Sequence, residues 1–133
     1  MTKNENNKEI LLVDDDPNYS EVIQLRLQSS GYEVRCVSNG REAIEVLEHE
    51  HRPNLIIMDV DMPGQNGLTT LINMGIRRAQ SGEEGNFSVP VIVATGLGSD
   101  EVRKIIMSQN VSKYFQKPYD SEELVRTVRQ LIG

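Results

Sequence analysis

An α/β fold, a doubly wound parallel sheet of five strands with helices on both faces, is predicted by three features of this sequence. Short apolar runs alternate with longer stretches whose apolar residues recur at helical spacing. Most of the runs are continuously apolar, as strands covered on both faces must be. Parallel neighbours also need crossover connections, and the intervening helical stretches supply them, right-handed by default.

Met1 to Lys8, MTKNENNK, is polar and unpatterned and reads as a disordered tail, leaving residues 9–133 as one domain. EILLV (Glu9 to Val13) is the first strand. Asp16 then caps a helix that has Pro17 at its first position, Val22, Ile23 and Leu27 on its apolar stripe, and Gly31 as its stop. YEVRCV (Tyr32 to Val37) alternates and reads as an edge strand. Asn39 and Glu42 form a capping pair for a helix on Ala43, Ile44 and Leu47.

LIIM (Leu55 to Met58) is the third strand, followed by a helix on Leu68, Leu71, Ile72 and Ile76. The Gly, Ser and Glu content of RRAQSGEEGNFSVP (Arg77 to Pro90) reads as a mobile loop. PVIVAT (Pro90 to Thr95) is the fourth strand; Ser99 and Asp100 open a helix on Val102, Ile105 and Ile106. KYFQ (Lys113 to Gln116) is the fifth strand, and Asp120 with Glu123 caps a last helix on Leu124, Val128 and Leu131. Tyr114 and Phe115 alternate on that strand, so one faces the core and the other a helix layer or solvent. Met58, Met62, Met74 and Met107 read as core filler.

Composition narrows the function. The chain has 133 residues, enough to bury a single core without metal or disulfide support. Its one cysteine, Cys36, has no internal partner, and no stretch reads as a membrane span or a secretory leader, which points to the cytoplasm. With 20 acidic against 14 basic residues the net charge is −6, so direct binding of nucleic acid is not expected.

In a sheet of this class, function gathers at the carboxyl ends of the strands. Those ends carry Asp14, Asp15 and Asp16 after the first strand, Asp59 and Asp61 after the third, Thr95 at the fourth and Lys117 after the fifth. Asp14, Asp15 and Asp59 held together repel one another, so a cation belongs among them. Oxygen ligands alone suit Mg²⁺ rather than Zn²⁺, which favours histidine or cysteine. His49 and His51 follow a helix on the far side and read as solvated. A carboxylate attacks a phosphoryl group poorly because both are anionic. Mg²⁺ and Lys117 would cancel that repulsion, Thr95 would donate to a phosphoryl oxygen, and the product would be an aspartyl phosphate on Asp59.

LLVDDDP, LIIMDVDMPGQNGL, PVIVATG and YFQKP, in this order and spacing, resemble the receiver domain of bacterial two-component response regulators over nearly the whole chain. The resemblance implies a flavodoxin-like strand order of 2-1-3-4-5. It implies that Asp14 and Asp15 are the acidic pair, Asp59 the phosphoacceptor and Asp61 the position whose backbone carbonyl ligates Mg²⁺. It makes Lys117 the invariant lysine and Thr95 with Tyr114 the switch pair. Asp61 and Leu97 resemble positions flanking the path of the hydrolytic water. The implied partner is a sensor histidine kinase or phosphotransfer protein. A target or a second copy would dock on the fourth helix, fifth strand and fifth helix. Such a domain catalyses only its own phosphorylation and dephosphorylation.

Three departures stand out. QNV (Gln109 to Val111) replaces the usual Gly-Ala, and Asn110 suits the left-handed cap this requires. Arg77 to Pro90 is longer than the usual link. QNG (Gln65 to Gly67) lacks the frequent Asp before its glycine. The carboxylates admit other readings. A calcium loop starting at Asp59 has Pro63 at its fifth position and Thr70 at its twelfth, where a carboxylate ligand belongs. A haloacid-dehalogenase-type phosphatase also uses Asp-x-Asp at a strand end, normally after the first strand. A degenerate receiver, binding partners without phosphorylation, remains the third alternative.

Overall fold

The computed structural model describes residues 7–60, 67–96 and 99–133. Among them run strands β1 (Glu9–Val13), β2 (Glu33–Val37), β3 (Leu55–Met58), β4 (Val91–Thr95) and β5 (Lys113–Gln116). They alternate with helices α1 (Pro17–Ser29), α2 (Gly40–His49), α3 (Gly67–Ser81), α4 (Asp100–Ser108) and α5 (Ser121–Ile132). All pairings are parallel and the order is β2-β1-β3-β4-β5. The edge position of β2 agrees with its alternating sequence. β1, β3 and β4 are buried on both faces apart from the half-exposed Glu9.

The twofold period of the strands divides the core into two layers. Leu11, Val13, Ile56, Met58, Val91 and Val93 face a cluster with Leu47, Leu71, Met74 and Ile106, contributed by α2, α3 and α4. Ile10, Leu12, Leu55, Ile57, Ile92, Ala94 and Phe115 face the other, with Ile23, Leu27, Leu124 and Val128 from α1 and α5. Each layer seals one face of the sheet. Phe115 is thus the core-facing aromatic of β5, while Tyr114 packs half-buried on the opposite side.

Helix ends follow the capping signals. Asp16 accepts from the N–H groups of Asn18 and Tyr19, Ser99 from Val102, and Asn39 from Glu42. The Glu42 carboxylate reaches back to the Ser38 N–H, completing a reciprocal cap shifted by one residue. Asp120 is the expected cap of α5, accepting from the Glu122 N–H at 2.9 Å rather than from Glu123. Asn110 has φ 61°, the left-handed conformation expected after α4. His49 ends α2 and His51 pairs with Glu9 at the start of β1, both on the amino-terminal edge of the sheet.

Several sequence expectations need correction. Val22, Ile76, Ile105 and Leu131 are exposed, not on their helices' buried stripes. Each helix meets the sheet along a narrow line, so in α1 only the i, i+4 pair Ile23 and Leu27 is buried. Met74 takes the core position in α3 that Ile76 was expected to share, and Met107 is exposed while Met58 and Met74 are buried. Met62 lies outside the described residues.

The segment after Arg77 is also not a loop throughout. Helix α3 continues to Ser81, and Phe87 and Val89 are buried in the core. The Arg78 Nε donates to the Phe87 carbonyl at 3.0 Å, the Asn86 amide to the Leu47 carbonyl at 2.9 Å, and the Arg52 guanidinium to the Glu83 and Gly85 carbonyls. These buried anchors and backbone contacts tie down a stretch whose composition resembles a flexible link.

Candidate functional site

The site is an extension of the sheet's own hydrogen bonding. Beyond the last residue of β1, the Asp14 N–H donates to the Val37 carbonyl of β2. Beyond β3, the Asp59 N–H donates to the Val13 carbonyl, and beyond β5 the Lys117 N–H donates to the Thr95 carbonyl, each at 2.9 Å. Three residues from three strand ends are therefore placed by bonds that continue the ladders of the sheet. The alternation of faces continues past the strand ends. Asp14, Asp59 and Lys117 share the parity of Leu12, Ile57 and Phe115, which face α1 and α5.

One oxygen from each of Asp14, Asp15 and Asp59 lies within 4.8 Å of the others. Asp14 is 7% exposed and Asp59 5%, whereas Asp15 is more accessible. The Lys117 Nζ donates to Asp14 Oδ2 at 3.0 Å and to Asp59 Oδ2 at 3.1 Å. Asp16 donates its N–H to Asp14 Oδ1 at 2.9 Å, and its own carboxylate is occupied in capping α1. Among the expected acidic residues that the structure describes, Asp16 is thus a cap, and Asp14, Asp15 and Asp59 form the cluster.

Burial raises the pKa of Asp14 above the usual carboxylate value. The Asp16 N–H and Lys117 offset part of that cost, and the Asp59 charge adds to it. For Lys117, burial works against the charge, but hydrogen bonding to Asp14 and the combined field of Asp14 and Asp59 outweigh it and raise its pKa. The ammonium is firmly charged. The donors around the cluster are all carboxylate oxygens, which fits a hard divalent cation better than zinc. Asp14, Asp15 and Glu42, with Cys36 and Ser38, also line a cleft of about 380 Å³, room enough for hydrated ligands.

Thr95 ends β4 fully buried, on the strand next to β3. The register sets Val93 level with Tyr114 and Thr95 level with Gln116, so Thr95 and Tyr114 share the sheet face that α4 covers. Arg103 of α4 lies over the Tyr114 ring, 5.2 Å from its centroid. Asp61, Leu97 and Gly98, together with Gln65 and Asn66 of QNG, lie outside the described residues.

Sequence reasoning missed two neighbours of Lys117. Its ammonium sits 4.2 Å from the centroid of the Tyr19 ring, and Tyr19 meets Tyr119 edge-on with centroids 5.8 Å apart. Tyr19 belongs to the first turn of α1 and Tyr119 follows Lys117 by two, so the topology alone would have placed both at this rim.

Comparison with known proteins agrees with this geometry. The response regulator receiver domain model matches residues 10–129. An uncharacterised 14.6 kDa protein of Leptolyngbya boryana is 33% identical, with 92% of this chain and 88% of that protein covered. The probable transcriptional regulator ycf27 of Cyanophora paradoxa is 32% identical across 96% of this chain but only 49% of its own length. The chain spans about half the length of several such relatives. Among solved structures, the receiver domain of a sensor histidine kinase from Pseudomonas aeruginosa PAO1, with magnesium coordinated in its active-site cleft, superposes with a TM-score of 0.79. Identity there is 32%, with 96% of this chain and 98% of that one covered. The match leaves the phosphatase alternative without support. Strand order, rim carboxylates and the near-complete match all say that the chain belongs to the response regulator receiver domain family, the phosphoacceptor signalling module of two-component systems.

Proposed function

We propose that Asp59 accepts the phosphoryl group, that Asp14, Asp15 and Asp59 with the Asp61 carbonyl hold Mg²⁺, and that Thr95 and Lys117 receive phosphoryl oxygens. The observation that carries this reading is one ammonium bonded to two buried carboxylates, one of them the proposed nucleophile, inside a three-carboxylate cluster. Lys117 is held where an incoming phosphoryl oxygen would need a positive charge.

In the transfer step an Asp59 oxygen forms a bond to phosphorus while the bond to the donor breaks, P–N for a phosphohistidine or P–O for an acyl phosphate. When bound, Mg²⁺ supplies positive charge that offsets the approach of two anions. Lys117 exchanges its contact with Asp59 Oδ2 for a phosphoryl oxygen and keeps Asp14 as its second partner. Thr95, buried at the end of β4, donates its hydroxyl to another oxygen of the group. The chain modifies only itself.

The partner that fits is a sensor histidine kinase or a phosphotransfer protein in the cytoplasm. No helix among the described residues is long and apolar enough to cross a membrane. The domain extends over residues 9–133, with a homodimer or target docking on α4, β5 and α5. Incubation with acetyl phosphate and Mg²⁺ tests the assignment by intact mass. The wild type should gain one phosphate and Asp59→Asn none; an equal yield from Asp59→Asn would overturn it, and no adduct on the wild type would favour a phosphorylation-independent module.

A further inference from the structure

Lys117 has a third contact that phosphoryl transfer, as described above, does not use. An ammonium offers three N–H donors. Two meet Asp14 and Asp59, and the Tyr19 ring stands 4.2 Å from the nitrogen on a further side. A cation within about 6 Å of an aromatic face is attracted by the ring quadrupole, more strongly as the pair loses water. Lys117 is largely buried, its side chain 19% exposed.

The ring is itself held in place. Tyr119 lies edge-on to Tyr19, and its ring meets Phe115 of the core in a tilted contact with centroids 5.3 Å apart. Phe115, Tyr119, Tyr19 and Lys117 therefore form a continuous series from the sheet interior to the carboxylate cluster. Lysine has a long flexible stem and no fixed donor geometry, so its aim depends on what surrounds its head. Phosphorylation of Asp59 would oblige the ammonium to leave the carboxylate oxygen for a phosphoryl oxygen farther out. A ring face is uncharged and takes no phosphoryl oxygen, so it does not compete for the substrate while it restrains the ammonium.

We propose that Tyr19 is a positioning residue whose ring face keeps the Lys117 ammonium directed at Asp59 and its phosphoryl group, with Tyr119 fixing the ring. This rests on Asp59 being the phosphoacceptor. Tyr19→Leu removes the π face and keeps an apolar side chain; Tyr19→Phe keeps the face and loses the hydroxyl. With acetyl phosphate at saturating Mg²⁺, Tyr19→Leu should be phosphorylated about 3- to 10-fold more slowly than wild type, the range a partly desolvated cation–π contact supplies. Tyr19→Phe should recover most of that rate.

A second readout needs neither metal nor phosphate. In NMR spectra of the metal-free protein the Lys117 ε-methylene protons should be shifted upfield by the ring in wild type and Tyr19→Phe, and lose that shift in Tyr19→Leu. Unshifted ε-protons in the wild type would overturn the proposal even where Tyr19→Leu does not fold. A Tyr19→Leu rate equal to wild type, or a Tyr19→Phe rate as low as that of Tyr19→Leu, would overturn it while leaving Asp59 as the acceptor. A wild type that takes up no phosphate would bring down both.

Discussion

Asp14 and Asp59 lie nearly out of water with Asp15 beside them, and Lys117 is the cation seen bridging the two buried ones. Charges this close interact by several kilocalories per mole at the effective dielectric of a protein surface, about 4 kcal/mol at 4 Å. One lysine does not neutralise three carboxylates, so the proposed role of the cluster as a divalent-cation site can be tested on the folded protein directly. Millimolar Mg²⁺ should therefore raise the melting temperature, by mass action worth about 2.7 kcal/mol at one hundred times the dissociation constant. Asp15→Ala should abolish the response. Asp59→Asn should melt higher than wild type without metal, since one crowded charge disappears. Thermal melts with Mg²⁺, Ca²⁺ and Zn²⁺ check this; strong stabilisation by calcium or zinc and none by magnesium would refute the ligand chemistry.

At the scale of elements, the first residue of α3 closely approaches the residue after Asp59. A Cβ on Gly67 would sit 2.5 Å from the Val60 Cα and 2.8 Å from its carbonyl oxygen, and backbone cannot step aside as a side chain can. Val60 is the neighbour of Asp59. Gly67→Ala should thus cost about 1–3 kcal/mol, in the range of overpacking, and also slow phosphorylation by moving Asp59. Denaturant unfolding and the acetyl phosphate rate measure the two effects; wild-type values for both would show the approach to be slack.

Every strand and helix was legible as an element because period and capping agree locally, as with Asp16 before Pro17 and Ser99 before Asp100. Which apolar residues are buried was less legible. Val22 and Ile23 look alike in sequence, and only the line along which α1 meets the sheet separates them. Phe87 and Val89 were hidden for another reason: two isolated apolar residues among Gly, Ser and Glu carry no periodicity, yet they anchor the segment.

Across the whole molecule, the two faces of the sheet divide the work. Lys117, Asp14 and Asp59 share the parity of the face under α1 and α5, whereas Thr95 and Tyr114 lie on the face under α4. A phosphoryl group that draws Thr95 inward acts on the second face, where Tyr114 is held between β5 and Arg103. Only a difference in affinity between the two conformations shifts the population. Thr95→Ala should consequently still be phosphorylated but respond weakly. On activation by beryllofluoride the largest backbone NMR shifts should fall between Thr95 and Lys117; changes confined to the surroundings of Asp59, with Tyr114 unmoved, would refute this route. The carboxylates, Thr95 and Lys117 were legible because strand ends can be counted along the chain, while the contact of Tyr19 with Lys117 was not, since a ring over an ammonium leaves no motif even where topology puts both at one rim.

The bond from Lys117 to Asp14 joins residues 103 apart in the chain, and the one to Asp59 joins residues 58 apart. Contacts of such separation form only after the loop-closure entropy of the intervening chain has been met. Before β5 docks, the acidic cluster lacks the lysine that bridges it, so a half-folded chain has the carboxylates without the means to use them. Regain of phosphorylation during refolding, followed with acetyl phosphate, should therefore not precede the docking of β5; a rate recovered before β5 forms would show that the bridge is dispensable.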